Sequence, residues 1–299
     1  MKTPTSPAEL PLLATCWTIT GDVLPTAVNA LSPFPLERRM QAAAQAGFTG
    51  IGLWYGDLLQ QEQQAGGFAA LGRRLDALGF EFIELESLTN WFSEGETRRQ
   101  SDSWRKLFLR AAAELGARHL KVIPPMPGQD IEHSTLVDAF GTLCREAAVE
   151  GLGIAMEMMP MAGLPTLAEN LAVTQAAAAP NGGLLLDIWH LQRCGHGDFQ
   201  DLAAIPASAV AAMELNDAPG SHGPDLFHDT LNDRLPCGEG DFDVSGFIRA
   251  LWQAGYRGPV GVEILSPRFR ALEPEEAARI SHDTTRAALI ASAAQQSSR

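Results

Sequence analysis

Cationic residues and cysteines are both scarce in this sequence. Lysine and arginine total 22 against 36 aspartates and glutamates, which gives a formal net charge of -14. Because a surface with that balance repels phosphate backbones, we expect no nucleic acid partner. The 4 cysteines lie far apart without a C-x-x-C pair. From this spacing we expect neither a disulfide framework nor a zinc site with thiolate ligands.

Long apolar runs are absent too. No stretch approaches the roughly 18 apolar residues that a membrane span needs, and the first residues, MKTPTSPAELP, lack the basic and apolar regions of a signal peptide. We therefore expect a soluble, cytoplasmic protein with no membrane partner. The chain has 299 residues, of which 45% are hydrophobic, and this is enough for one large or two ordinary domains.

Short apolar runs alternate with amphipathic or alanine-rich stretches along the whole chain. Glycines recur just before the next apolar run, where left-handed helix caps are expected: Gly47, Gly79, Gly116, Gly151 and Gly255. Because parallel strands covered by helices are buried on both faces, they read as continuous hydrophobic runs. Eight runs predict such strands, at residues 12–17, 50–54, 81–86, 119–125, 153–160, 183–190, 210–217 and 259–266.

Some of the intervening helices have signals of their own. Apolar residues in 103–115 recur at spacings of three and four, as in an amphipathic helix. The sequence TLAE at 166–169 has the form of a capping box. A further apolar helix face is predicted at Phe247, Ile248, Leu251 and Trp252.

Eight βα units favour one (β/α)₈ TIM barrel, an α/β fold that spans residues 1–299 as a single domain. A doubly wound sheet is the alternative. Its first strand is ordinarily followed by a glycine-rich phosphate loop, and CWTITGDVLP contains no G-x-G-x-x-G. We expect residues 1–11, which precede the first strand, to form a flexible N-terminal tail.

Each of the last four predicted strands carries a carboxylate late in its run. The active site of a TIM barrel lies at the C-terminal ends of its strands, so four acids at one height indicate a functional site. Taken singly, any of them could instead be a helix cap or a loop anchor. Side chains two residues apart share a face of a strand, and three of the four preceding residues on that face are small, as a crowded barrel axis requires. The acids are Glu157, Asp187, Glu214 and Glu263, preceded by Ala155, Leu185, Ala212 and Gly261.

Four converging carboxylates would repel one another strongly in a low-dielectric pocket. Proteins relieve such repulsion by raising a pKa or by binding a cation. We predict one divalent metal ion shared by Glu157, Asp187, Glu214 and Glu263. Oxygen donors without thiolates favour Mn²⁺ or Mg²⁺, with Co²⁺ or Zn²⁺ as alternatives.

Several phrases of the sequence carry a family resemblance: CWTITGD, GFTGIGLW, ELESLTNW, LGARHLKV, DIWH, RLPCGEGDFD and GYRGPVGVEI. The chain is similar to the sugar phosphate isomerase/epimerase superfamily of xylose isomerase-like barrels, which includes ketose 3-epimerases, inosose dehydratases and dehydroshikimate dehydratases. The resemblance implies one divalent ion held by Glu157, Asp187 and Glu263 together with a histidine of strand 7. Glu214 occupies that histidine's place, so Glu214 is either a ligand or a substrate contact.

The resemblance also implies a reaction. Glu157 and Glu263 would act as an acid/base pair that removes and returns a proton next to a carbonyl, through an enediolate. The product is that of an isomerase or epimerase acting on a keto-sugar or cyclitol, or of a dehydratase if a β-hydroxyl leaves. The D-x-x-H histidine of the family falls on His190 and its arginine between strands 7 and 8 on Arg234, both as substrate contacts. A homodimer or homotetramer is the implied assembly.

The remaining polar residues have two interpretations each. Lys121 either reaches the pocket and binds substrate or pairs structurally with one of the acids. Glu84 and Glu86 either rim the site or lie at a solvated strand end, and we favour the solvated end. Three further residues, His196, His222 and His228, are interpreted as loop histidines. Four tryptophans near strand ends either stack on a sugar or pack in the core: Trp17, Trp54, Trp91 and Trp189.

Substrate class and function class stay open at this point. Arg268 and Arg270 could bind an anion, but without a glycine-rich phosphate loop we favour an unphosphorylated substrate. A nuclease on the same fold is disfavoured because the early strands offer no histidines for further metals and the chain is acidic. A catalytically inert sugar-binding protein is disfavoured because both members of the acid/base pair are present.

Overall fold

Eight parallel strands close into a barrel in chain order, and the first strand pairs with the last. The computed structural model describes residues 3–27, 30–195 and 199–296. The strands are β1 (Leu12–Ala14), β2 (Gly50–Trp54), β3 (Phe82–Leu88), β4 (His119–Val122), β5 (Gly153–Glu157), β6 (Gly182–Asp187), β7 (Val210–Leu215) and β8 (Val260–Val262). The prediction of a single (β/α)₈ barrel is confirmed.

Helices cover the outside of the barrel. They are α1 (Leu36–Ala46), α2 (Tyr55–Glu62), α3 (Gly67–Ala77), α4 (Gly95–Leu115), α5 (His133–Ala148), α6 (Leu167–Ala177), α7 (Ile188–Arg193), α8 (Leu226–Asn232), α9 (Val244–Gln253), α10 (Pro267–Arg270) and α11 (Pro274–Gln296). Short 3₁₀ helices lie at Pro7–Glu9, Cys16–Thr18, Gln200–Ala204 and Ala207–Ala209. None of the helices in the described part of the chain is long and apolar enough to cross a bilayer.

Local sequence signals explain where several helices begin and end. The capping box at the start of α6 is confirmed, because Thr166 Oγ1 accepts a hydrogen bond from Glu169 N and the Glu169 side chain accepts one from Thr166 N. All five predicted cap glycines have positive φ, with 104° at Gly47 after α1. The buried face of α9 includes Phe247, Ile248 and Leu251, as predicted.

Six of the eight strands are shorter than the apolar runs that predict them, whereas β2 matches its run and β3 extends two residues beyond its run. The run 183–190 is a strand only to Asp187, and Ile188 then begins α7. β8 stops at Val262, so Glu263 lies just beyond the strand rather than inside it. The physical reason is that apolar residues continue past the strand ends, where they pack under the loops, and periodicity cannot separate the two environments.

The stretch before β1 lies against the C-terminal helix. Leu10 is buried, and Arg286 in α11 donates hydrogen bonds to the carbonyls of Ala8 and Leu10 at 2.8 and 2.9 Å. Residues 7–9 form one of the short 3₁₀ helices.

Most buried hydrophobic residues form one continuous core, and two small clusters lie apart from it. One of the two consists of Ala155, Leu185 and Ala212. They are three of the residues predicted to share a face with the carboxylates. The alternation within each strand thus sends one set of side chains to the helices and the other set to the barrel axis, where the acids also lie.

Candidate active site

Asp187 ends the leucine-rich strand β6 and is fully buried. Its carboxylate caps α7, because Oδ1 accepts a hydrogen bond from Trp189 N at 2.7 Å. Asn216 Nδ2 lies 3.0 and 3.2 Å from the two oxygens, and Arg234 Nη1 lies 2.5 Å from Oδ2. A buried carboxylate is tolerated here because hydrogen bonds and one cation compensate its charge.

The four predicted carboxylates converge. One oxygen from each of Glu157, Asp187, Glu214 and Glu263 lies within 4.8 Å of the others, and all four residues are buried. The strand register brings them to one level, since Asp187 pairs directly with Glu214 across β6 and β7. Gly261 pairs with Glu214 on the other side, and a Cβ atom on Gly261 would lie 2.7 Å from Glu214 Cγ. Gly261, two residues before Glu263, therefore leaves the space that the Glu214 side chain occupies.

Two buried cations hold this cluster. Lys121 Nζ lies 2.8 Å from Glu214 Oε1, 2.9 Å from Glu263 Oε1 and 3.4 Å from Glu86 Oε2. Arg234 Nη1 bridges Asp187 and Glu263, at 2.5 and 2.7 Å. The structural pairing of Lys121 with acids is confirmed, and Lys121 also lines the cavity above them, while its contact with a substrate stays a prediction.

The pKa values of the acids follow from this arrangement. Burial raises the pKa of Glu214 well above its ordinary value, against the opposing effect of Lys121. Burial acts on Glu263 in the same direction, but Lys121 and Arg234 outweigh it and lower its pKa to about 2. Burial also favours a neutral Lys121, yet the adjacent Glu214, Glu263 and Glu86 raise its pKa. Glu263 and Lys121 are therefore charged at neutral pH.

The cluster has more negative than positive groups. In the described part of the chain, five buried carboxylates, with Glu86 as the fifth, share two permanent cations, Lys121 and Arg234, and the ion-pair contact of Glu157 is with the His190 ring at 3.3 Å. Among the described residues neither oxygen of Glu214 has a hydrogen bond of good geometry. Such an excess is relieved by protonation, as the raised pKa of Glu214 reflects, or by a bound cation. Four converging oxygen donors and the uncompensated charge fit a divalent metal ion.

His190 and Arg234 form the wall beside Glu157. His190 is fully buried in α7, and its Nε2 lies 3.3 Å from both Glu157 Oε1 and Arg234 Nη2. Arg234 also donates to Thr230, from Nη2 to the hydroxyl at 2.9 Å and from Nε to the carbonyl at 3.1 Å. Glu157, Asp187 and His190 make a second group of ligand atoms with compatible spacing.

A cavity of about 520 Å³ opens above the carboxylates. Its floor includes the two glutamates predicted to be the acid/base pair and three residues predicted to contact the substrate: Glu157, Glu263, His190, Arg234 and Lys121. Asp187 and Glu214 lie beneath that surface and are fully buried. The upper part is lined by apolar side chains, including Trp17, Trp54, Met159, Met161 and Phe227.

Other candidates lie away from the carboxylates. Arg268 pairs with Glu239, while Arg270 donates to the carbonyl of Leu231 and to the side chain of Asn232. His222 and His228 are exposed loop and helix residues, and His196 lies outside the described residues. Trp91 is buried, with its Nε1 donating to Ile123 O at 2.8 Å, and Trp189 packs behind Arg234.

Sequence reasoning misjudged Glu84 and Glu86 and missed Asn216. The favoured interpretation of a solvated strand end is wrong, because Glu84 and Glu86 are 1% and 0% exposed. Glu84 bonds His119 at 2.6 Å, and Glu86 accepts a hydrogen bond from Cys16 N at 2.7 Å. Asn216, which holds Asp187, follows Glu214 by two residues. The period of the strand was therefore a usable signal for it.

Known proteins resemble this chain over much of its length. The family described as xylose isomerase-like TIM barrel matches residues 40–288. A 3-dehydroshikimate dehydratase of Pseudomonas aeruginosa is 29% identical over 242 residues, which are 79% of this chain and 37% of that protein. An inosose isomerase of Halalkalibacterium halodurans is 25% identical over 186 residues, which are 60% of this chain and 64% of that protein.

A solved structure gives the same fold. The IolI protein with a bound zinc atom superposes with a TM-score of 0.79 at 18% identity, over 94% of this chain and 98% of that one. Likeness at this identity establishes the barrel architecture. This chain spans only 37% of the length of the dehydratase it matches.

Proposed function

The chain belongs to the xylose isomerase-like TIM barrel family, and from this premise we propose that it is a metal-dependent sugar isomerase or epimerase. The reaction is proton abstraction next to the carbonyl of a keto-sugar or cyclitol. The observation that carries the proposal is the buried group of four carboxylates, Glu157, Asp187, Glu214 and Glu263, at the floor of a cavity. Metal dependence and acid/base chemistry both require such a group.

A dehydratase is the second candidate. It is favoured by the relative named 3-dehydroshikimate dehydratase, which is 29% identical over 79% of this chain. The relative named inosose isomerase favours the first candidate. Both reactions begin with the same proton abstraction, and they differ in whether a hydroxyl group then leaves the substrate.

The metal ligands we propose are Glu157, Asp187, Glu214 and Glu263. A divalent ion bound there would polarise a carbonyl and an adjacent hydroxyl of the substrate and so acidify the carbon between them. Asn216 and Arg234 fix the orientation of Asp187 through hydrogen bonds. Lys121 competes with a metal ion for Glu214, from which it lies 2.8 Å.

Glu157 is the proposed proton acceptor. It lines the cavity, and the contact found for its carboxylate is with His190 Nε2 at 3.3 Å, whereas Glu263 is bound by both Lys121 and Arg234. With few partners among the described residues, the Glu157 carboxylate can accept a proton without giving up a strong ion pair. Lys121 and Arg234 hold Glu263 ionised, so a proton returned from this side would come from the ammonium group of Lys121, whose Nζ lies 2.9 Å from Glu263 Oε1, by way of the Glu263 carboxylate. Glu157 would then release its proton to solvent, from which Lys121 is reprotonated.

His190, Arg234 and Lys121 are the proposed substrate contacts. All three line the cavity beside the two glutamates. His190 and Arg234 place N–H donors next to Glu157, where negative charge on the substrate oxygens would develop. Part of their effect is indirect, because Lys121 and Arg234 also hold Glu263 in place.

The test is deuterium incorporation from D₂O. The protein is stripped with EDTA and reloaded with Mg²⁺, and proton NMR follows a panel of ketoses, 3-keto-sugars, inososes and dehydroshikimate. Mass spectrometry replaces NMR for Mn²⁺, Co²⁺ and Zn²⁺. Deuterium next to the carbonyl establishes proton abstraction, and the product distinguishes an isomerase from a dehydratase. Loss of exchange in EDTA and in Glu157→Gln assigns it to this site.

Exposed Glu150 provides a matched control. Glu150→Gln removes a carboxylate far from the cavity and is expected to exchange like the parent protein. Exchange that persists in EDTA and in Glu157→Gln would overturn the proposal. So would the absence of exchange with every substrate and every ion when calorimetry shows that the ions bind.

A further inference from the structure

The cavity has two ends of opposite chemistry. Charged groups lie at its floor, and most of the other lining residues are apolar, among them Trp17, Trp54, Met159, Met161 and Phe227, with a few uncharged polar residues such as Gln60 and Thr89. Its volume of about 520 Å³ is within the range of about 300–1,000 Å³ that holds drug-sized ligands. A polar sugar ring at the carboxylates would not satisfy the apolar end, and hydroxyl groups against those walls would lose hydrogen bonds to water.

The exposed apolar surface of the protein is concentrated at this end. Among the described residues five large hydrophobic side chains are exposed. Three of them, Leu31, Leu59 and Phe227, line this cavity, whereas Val149 and Ile290 do not. Single exposed hydrophobics are ordinary, but a group of them at one cavity indicates a binding surface.

The apolar end is continuous with the carboxylates along the chain. Met159 follows Glu157 by two residues and Leu265 follows Glu263 by two, and all four line the cavity. Leu231, near the end of α8, likewise lies three residues before Arg234, and both line the cavity. A ligand that reaches either glutamate therefore lies against an apolar side chain of the same segment. The two ends belong to one binding site.

Two tryptophans give the apolar end its shape. The rings of Trp17 and Trp54 lie 4.8 Å apart between centroids and are tilted by 59°. Trp17 is 7% exposed and belongs to a small cluster with Ala30 and Leu265, against which Trp54 packs. Rigid indole surfaces favour flat apolar rings, and the flexible methionines can adapt to their edges.

We propose that the substrate carries an aromatic group on its sugar or cyclitol, and that this group occupies the apolar end of the cavity. The sugar or cyclitol part rests on the proposed function, while the aromatic part rests on the residues just described. Contact with the aromatic group supplies binding energy away from the reacting carbon, and the carboxylates act on the polar ring.

The experiment compares two probes that differ only in the apolar group. Calorimetry measures the affinity of the metal-loaded protein for phenyl β-D-glucoside and for methyl β-D-glucoside. We expect the phenyl compound to bind at least tenfold more tightly. Phe227→Ser and Leu31→Ser change exposed side chains and so spare the fold, and each is expected to reduce the ratio at least threefold.

Val149→Ser is the matched control, since Val149 is exposed and apolar but does not line the cavity. It is expected to leave the ratio unchanged. A ratio near one in the parent protein overturns the proposal, as does an equal loss in Val149→Ser. Light scattering adds a further outcome: if Phe227→Ser dissociates an oligomer and the ratio is one, the surface is a subunit interface and the proposal is wrong.

Glu157→Gln separates this inference from the proposed function. The variant is expected to lose deuterium exchange and to keep the preference for the phenyl compound. If no substrate exchanges but the preference persists, the proposed reaction fails and the aromatic site stands. If free ketoses exchange as efficiently as their aryl derivatives, the reaction stands and the aromatic group is not part of the substrate.

Discussion

The charged floor of the cavity and its apolar end, which forms the mouth, differ in how far their side chains are buried. Directly beneath the floor, the acids Asp187 and Glu214 are completely buried, and each is paired with a buried cation, Arg234 and Lys121 respectively. At the mouth, apolar residues such as Leu31 and Phe227 are each 43% exposed. Strand ends supply the acids of the floor, and loops and helix starts supply much of the mouth. Under the function proposed above, we expect the floor to determine the reaction and the mouth to determine which molecule undergoes it.

The largest expected effect comes from removing the base at the floor. Glu157→Gln keeps the size of the side chain and its contact with His190 but cannot accept a proton. We expect turnover to fall by about 10²- to 10⁴-fold, the usual contribution of a general base. Steady-state kinetics on the exchanging substrate measure it. A mouth variant, Phe227→Ser, is expected to change KM while kcat is retained, and the reverse pattern would contradict the comparison.

Removing a cation from the floor should lower the stability of the metal-free protein and increase the stabilisation that a divalent ion provides. Lys121→Met leaves Glu86, Glu214 and Glu263 without their common partner. Breaking a buried ion pair on one side costs about 3–5 kcal/mol. We therefore expect a large drop in Tm in EDTA. The rise in Tm on adding a divalent ion should exceed that of the parent protein, because a competing cation is gone. An equal or smaller rise would show that Lys121 does not oppose the metal.

Crowding at the floor predicts a smaller loss of stability. Gly261→Ala places a Cβ atom 2.7 Å from Glu214 Cγ, and such overpacking costs about 1–3 kcal/mol. Gly72→Ala in α3 is the control, because the added atom there meets its neighbours at 3.5 Å or more and alanine favours helix. Urea unfolding compares the two variants. A Gly261→Ala protein as stable as the parent would show that the acids have room to move.

The smallest expected effect is a pH dependence confined to the floor. Burial raises the pKa of Glu86 to about 8, so the folded protein retains a proton that the unfolded chain releases above a pH of about 4.5. Stability contributed by this group is present below about pH 4.5 and is lost as pH rises toward 8. Glu86→Gln removes that dependence.

In EDTA we expect the difference in free energy of unfolding between Glu86→Gln and the parent protein to shift in favour of the variant between pH 5 and pH 8. Thermal unfolding at a series of pH values measures it. Phe227→Ser is the control at the mouth, where no such group is altered, and its difference from the parent should stay constant. A difference for Glu86→Gln that is equally flat would contradict a raised pKa.

Much of the fold and of the floor could be predicted from the sequence, for identifiable reasons. Cap glycines such as Gly47 mark the ends of helices between βα units. The two-residue period of the strands predicts that Glu157, Asp187 and Glu214 point to the same side of the barrel wall, where they converge. These signals are local or strictly periodic. They remain valid in the folded protein because each strand of a closed barrel has one neighbouring strand on each side.

The burial of Glu86 and the role of the mouth could not be predicted in the same way. Whether a carboxylate at a strand end is solvated depends on the side chains that other strands place beside it. Glu86 in β3 lies next to Lys121 in the adjacent strand β4. Trp17 and Trp54 meet from separate segments, so nothing in the local sequence of either distinguishes a core tryptophan from one at a cavity. Contacts between distant segments decide both cases.

Because an apolar cavity residue follows each glutamate by two positions, the residues that would contact the substrate can be mutated separately from the glutamates. Met159 and Leu265 lie outside the strands, so a mutant library restricted to them and to Phe227 would vary the accepted molecule while Glu157 and Glu263 keep their places. Selection on such a library would explore new substrates with the chemistry held constant. A natural lineage could diversify along the same path.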